Sequence, residues 1–133
     1  MPRAQDKHNY SSHYFPPAPV LSVHLVVLEE SVRIGPYDAL IDTGSDGTFV
    51  PTFLVEELDL PVEYMTNVRS HLNERLISVS VHKVDILLYD TIKLPSIDVV
   101  AHDEDDEIIL GRNLLNKIHL YLDGPNEITR FAP

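Results

Sequence analysis

Two stretches of this chain have the same shape, an apolar run that stops at a glycine. One is Ala39-Leu40-Ile41-Asp42-Thr43-Gly44-Ser45; the other, far downstream, is Ile108-Ile109-Leu110-Gly111-Arg112-Asn113. Small and branched apolar residues favour extended backbone, and glycine accepts the conformations that end a strand. Each stretch therefore reads as a strand running into a turn. Together they read as a diverged internal repeat whose two turns cross as paired loops. Only the first carries an acid, Asp42; in the second, Leu110 and Gly111 stand where an acid would be.

A strand built from Ala39, Leu40 and Ile41 holds Asp42 rigidly at its end, Gly44 lets the backbone approach a partner loop, and Ser45 offers a hydroxyl to the carboxylate. Attack of water on an amide needs two carboxyl groups that share one proton, one acting as base and the other as acid. One Asp-Thr-Gly per chain supplies half of that pair, so the second carboxyl must come from another copy. The bland reading of the tripeptide is a strand ending in a glycine turn.

Asp42-Thr43-Gly44-Ser45 followed downstream by Ile109-Leu110-Gly111-Arg112-Asn113 resembles the retropepsin-like aspartic proteases, the single-domain relatives of the retroviral enzymes, and in particular their bacterial members. The resemblance spans roughly residues 20 to 123 and is sharpest at 39–51 and 108–118. It implies an all-β fold, a closed β-barrel or sandwich with a flap hairpin and one or two short helices, working as a homodimer. It implies that Asp42 is the catalytic aspartate, that Thr43 braces the two loops across the dimer, and that Gly44 binds substrate backbone. Arg112 would pair with Asp46 inside each subunit. Substrate contacts would come from Gly44, Asp46 and the flap residues His71, Leu72 and Asn73. The family flap is usually glycine-rich, whereas residues 67–75 here contain no glycine.

With 133 residues and 44% apolar content, the chain fits one globular domain. Cysteine is absent, which removes disulfides, thiol nucleophiles and cysteine metal sites. A formal charge of −11 disfavours nucleic acid and anionic membrane surfaces and favours basic partners. No apolar run near the N-terminus is long enough for a signal peptide or a membrane span, so a cytoplasmic location is expected.

Residues 1–19 are rich in Pro, Ser, His and Tyr and lack periodicity, which predicts a flexible arm ahead of a protease domain at 20–133. Strands are expected at Val20 to Leu28 and Tyr37 to Asp42, with a turn at Ile34-Gly35-Pro36 between them. Pro51 to Leu58 has helical apolar spacing and is closed by Leu60-Pro61. A long strand from Leu76 to Leu88 descends from the flap; shorter ones follow at Ile97 to Ala101, His119 to Leu122 and Ile128-Thr129.

Other chemistries fit less well. The acidic run Asp103 to Glu107 beside His102 lacks the central glycine of a hard-cation loop and reads as a solvated turn, and no metal or other cofactor is expected. The histidines show no His-Glu-x-x-His pattern, and Gly44-Ser45-Asp46-Gly47 lacks the spacing of a serine nucleophile elbow. The leading expectation is a homodimeric aspartic endopeptidase acting on extended polypeptides. Its rival is a peptide-binding or dimerisation module on the same fold that cleaves nothing.

Overall fold

A computed structural model of the protein describes residues 7–69 and 74–133. Its strands are β1 (Lys7–Asn9), β2 (Val20–Val27), β3 (Val32–Ile41), β4 (Thr48–Pro51), β5 (Tyr64–Arg69), β6 (Leu76–Leu88), β7 (Ile92–His102), β8 (Ile108–Leu110), β9 (His119–Asp123) and β10 (Ile128–Ala132). Two short helices, α1 (Thr52–Glu57) and α2 (Arg112–Leu115), follow β4 and β8.

Strands β2, β3, β8, β4, β7 and β6 lie side by side in that order, and β6 pairs back onto β2 to close a six-stranded barrel. Closure leaves these strands without a free edge. The long β6 does two jobs. Its first half, from Leu76 to Val81, pairs with β5 as a hairpin standing off the barrel, and its second half pairs with β7 and β2. Burial follows this division: Leu76, Ile77 and Ser78 are exposed, whereas Val84, Ile86 and Leu88 alternate into the core. Leu21 and Leu25 from β2, Ile86 and Leu88 from β6, and Leu110 from β8 are each 0% exposed, and burying a side chain of this kind contributes about 1.5–3 kcal/mol. Helix α1 turns Leu54 and Val55 into the same core, as the apolar spacing from Pro51 to Leu58 predicts.

The remaining strands form a separate three-stranded sheet in the order β1, β10, β9. Here the structure corrects the sequence reading. Over its described part, the arm expected at residues 1–19 is ordered: Lys7–Asn9 pair with Ile128–Arg130, and the His8 ring stands edge-on to Tyr89 at 5.4 Å. Ser11 and Ala18 exchange backbone hydrogen bonds of 2.8 and 3.1 Å, and the Tyr14 hydroxyl donates to Glu107. A three-residue strand and a proline-rich loop carry no period, so their distant partners, β10 and Glu107 among them, are invisible in the sequence.

The turn expected at Ile34-Gly35-Pro36 is also displaced. Strand β3 runs through these residues, and the chain reverses earlier, in a 3-10 turn at Leu28–Glu30. Gly35 adopts φ +121° opposite a register shift between Val23 and Leu25, and an added Cβ would lie 2.8 Å from the Val23 carbonyl oxygen. The glycine marks a bulge in a strand, where backbones approach closely, rather than a chain reversal.

Candidate functional site

The two apolar-run-then-glycine units are neighbours. β3 and β8 run parallel with Ala39 opposite Ile108, Leu40 opposite Ile109 and Ile41 opposite Leu110. The Asp42 amide extends this pairing by donating to the Leu110 carbonyl at 3.0 Å. Both strands then end at the same level, and their turns interlock. Arg112 and Asn113 donate backbone N–H groups to the Ser45 and Asp46 carbonyls at 2.8 and 3.3 Å. The fit leaves no room at Gly111, where a Cβ would lie 2.0 Å from the Gly47 carbonyl oxygen, inside any allowed contact. Glycine here is required by close approach of two backbones.

A hydroxyl ties the turns from below. Thr48, at the start of β4, is fully buried; its Oγ1 donates to Asn113 Oδ1 at 2.7 Å and accepts the Gly111 amide at 3.2 Å. Asn113 Nδ2 then donates to the Asp98 carbonyl at 2.9 Å, linking the pair to β7. Sequence reasoning missed Thr48 and Asp98. The signal available was a polar β-branched residue shortly after the glycine turn, which resembles any strand residue.

Asp42 stands half-buried at the rim of this assembly. Its Oδ1 accepts the Gly44 amide at 2.9 Å, a bond that fixes the carboxylate within its own turn. Two side-chain partners differ from the sequence expectation. The Ser45 hydroxyl donates to the Gly47 carbonyl, two residues on in the same turn, at 2.7 Å rather than to Asp42. Among the described residues Arg112 forms no ion pair with Asp46; its guanidinium donates to the Thr43 carbonyl at 2.8 Å. Arg112 still braces the loop, through backbone one residue past Asp42, and it is exposed. The Thr43 side chain is exposed as well.

A cleft of about 680 Å³ opens beside Asp42. Gly44, Ser45 and Asp46 form one side; Phe49, Ala101 and Ile109 lie on the barrel; Val68, Ile77 and Val79 come from the β5–β6 hairpin. The acidic segment adds Asp103, Glu104 and Asp105 to the lining. The Asp105 carboxylate accepts the Glu107 amide at 2.9 Å, and the His102 Nε2 lies 2.7 Å from the Glu107 carbonyl oxygen. No group of three or more His, Asp or Glu side chains among the described residues is arranged to hold a metal ion. Of the expected substrate-contact residues, Gly44 and Asp46 line the cleft, while His71, Leu72 and Asn73 lie outside the described residues. Arg69 at the end of β5 and Ile77 at the start of β6 line the cleft on either side of that stretch.

A family model described as aspartyl protease matches residues 23–114, which span every element of the site, and the chain belongs to that family. Its fold is that of the retropepsin-like branch. A crystal structure of a retropepsin-like aspartic protease from Rickettsia conorii is similar with a TM-score of 0.63 at 12% identity, covering 96% of this chain and 91% of that one. The retroviral protease-like domain of Ddi1 from Leishmania major aligns at 15% identity with a TM-score of 0.47, covering 87% of this chain and 96% of that one. No curated protein matches the sequence. Among the described residues no helix is long and apolar enough to cross a membrane.

Proposed function

We propose that the protein is an aspartic endopeptidase whose active site forms between two copies of the chain, each contributing Asp42. The observation that carries this reading is the placement of Asp42: at the end of β3, locked to the β8 turn, on the wall of a cleft, in a chain of the aspartyl protease family. A fixed, half-buried carboxylate whose Oδ1 is already held by Gly44 is suited to orient a water molecule. One carboxyl per chain is not enough for the chemistry, and two-fold pairing supplies the second.

In the dimer one Asp42 is ionised and the partner subunit's Asp42 is protonated. The ionised carboxylate takes a proton from a water whose oxygen attacks the amide carbon, while the protonated carboxyl gives its proton to the carbonyl oxygen. The tetrahedral species then collapses. The carboxyl that took the water's proton passes it to the leaving nitrogen, the C–N bond breaks, and a hydroxyl of the tetrahedral species gives its proton back as the new carboxyl group forms, so that the pair again shares one proton. An extended peptide suits the cleft, with its backbone near Gly44 and Asp46 and its side chains against Phe49, Val79 and Ile109. The β5–β6 hairpin serves as the flap over it.

The second copy is expected against the three-stranded sheet. There, among the described residues, β9 pairs only with β10, and its Tyr121 and Leu122 are 60% and 45% exposed. Three residues link α2, which is locked to the Asp42 loop, to β9, so a partner on this edge lies close in the chain to the site.

The test is cleavage of an unfolded protein or peptide library by the wild-type chain and by Asp42→Asn, which keeps the size of the side chain. Removing the acid and the base together should reduce turnover by about a thousandfold or more while the circular dichroism spectrum is unchanged. Equal cleavage by both would overturn the assignment of Asp42. A folded wild-type chain that cleaves nothing would leave a binding module on this fold.

A further inference from the structure

The cleft is unevenly charged. Asp46, Asp103, Glu104 and Asp105 line it together with Asp42, whereas Arg69 is the sole lysine or arginine in its lining among the described residues. Net charge alone makes the whole surface acidic, but these carboxylates differ from a solvated run in two respects. First, three of them are unspent. Asp46, Asp103 and Glu104 are exposed, and no described residue makes a hydrogen bond or ion pair with their carboxylates.

Second, the segment that carries three of them is anchored. Glu107 at its end is held by the Tyr14 hydroxyl and, through its carbonyl oxygen, by the His102 ring at 2.7 Å. Asp105 caps the Glu107 amide at 2.9 Å, and the Phe49 ring stands edge-on to His102 at 6.4 Å. Phe49 itself lines the cleft. The carboxylates are therefore displayed on an anchored part of the cleft lining rather than on a loose tail.

We propose that Asp103, Glu104 and Asp105 make this cleft select extended peptides in which an apolar residue is neighboured by lysine or arginine. The inference rests on the reading of the cleft as a peptide site and names the class of peptide. The apolar side chain lies against Phe49, Val79 and Ile109, and the cationic side chain reaches the carboxylates of the acidic segment. A long, flexible Lys or Arg stem covers apolar surface while its charged head stays in water, which matches a cleft lined by both apolar side chains and carboxylates. An exposed ion pair changes an equilibrium constant by a factor of about two to five. Several carboxylates acting on one cation give about tenfold, and the effect weakens as salt screens it.

The experiment uses the full chain carrying Asp42→Asn, so that peptide is bound without turnover. Three fluorescent peptides share an apolar residue and differ beside it in Lys, Gln or Glu, and binding is followed by anisotropy at low and high salt. The Lys peptide should bind about tenfold more tightly than the Gln peptide, with the Glu peptide weakest. Raising salt should shrink the difference, and the triple substitution D103N/E104Q/D105N, which keeps the Asp105 cap acceptor, should abolish it. Equal binding of the three peptides, no binding of any, or a Lys preference that survives the triple substitution would overturn the proposal.

The wild-type chain with the same peptides separates this proposal from the one on which it rests. Cleavage indifferent to charge would overturn the selectivity and leave the peptidase standing. Charge-selective binding without any cleavage would support the selectivity and contradict the peptidase.

Discussion

Thr48 holds together two turns that the sequence separates widely. Its hydroxyl is buried, donates to Asn113 and accepts from Gly111. Thr48→Val preserves shape but strands both partners, and a buried group left without its hydrogen bond costs about 1–3 kcal/mol. The substitution should lower stability by about 2–4 kcal/mol, read as a lower urea midpoint with an unchanged denaturant slope, and Thr48→Ser should restore most of it. A Thr48→Val chain as stable as the wild type would show that the turns are tied by backbone alone. Asp42 at a strand end and the glycine turns after β3 and β8 were legible in the sequence as apolar runs that stop at a glycine, whereas the close approach that leaves Gly111 no room for a Cβ was not. Nor were the partners of Ser45 and Arg112. Each carries donors that several nearby oxygens satisfy, and the choice of Gly47 and Thr43 is set by backbone placement that residue types do not encode.

At the scale of elements, legibility followed burial. The long β6 could be read because apolar and polar residues alternate in two stretches of it, Ser78 to Val81 and Val84 to Ile86, and α1 because its apolar residues recur at helical spacing. Strand β4 is four residues long and pairs with both β7 and β8, so too few positions exist to display a period. Strand β1 is shorter still and is defined by its partner β10. The three-stranded sheet, of which the sequence showed β9 and part of β10 but not β1, has β9 as one of its edge strands. An exposed strand edge with large apolar side chains is a template for another chain unless something covers it. Leu122→Asp places a charge on that edge, and sedimentation equilibrium should then report a dimer weakened at least about tenfold, as expected for burying an unpaired carboxylate. An unchanged association constant would put the second copy elsewhere.

The whole molecule carries a net charge of −11, so two copies repel and association must overcome that repulsion with apolar and backbone contacts. Moderate salt, which screens the repulsion, favours the dimer even as it weakens selection among charged peptides. The central claim is that one site is built from two Asp42 side chains, and subunit mixing tests it directly. Wild-type chain and Asp42→Asn are combined at constant total concentration, allowed to exchange, and assayed on a peptide substrate. If both carboxyls are needed, only dimers with two wild-type chains cleave, and an equal mixture should retain about a quarter of the wild-type activity, following the square of the wild-type fraction. Activity that falls in simple proportion, leaving about half at equal mixing, would mean that each chain works with its own Asp42 alone and would contradict the shared site.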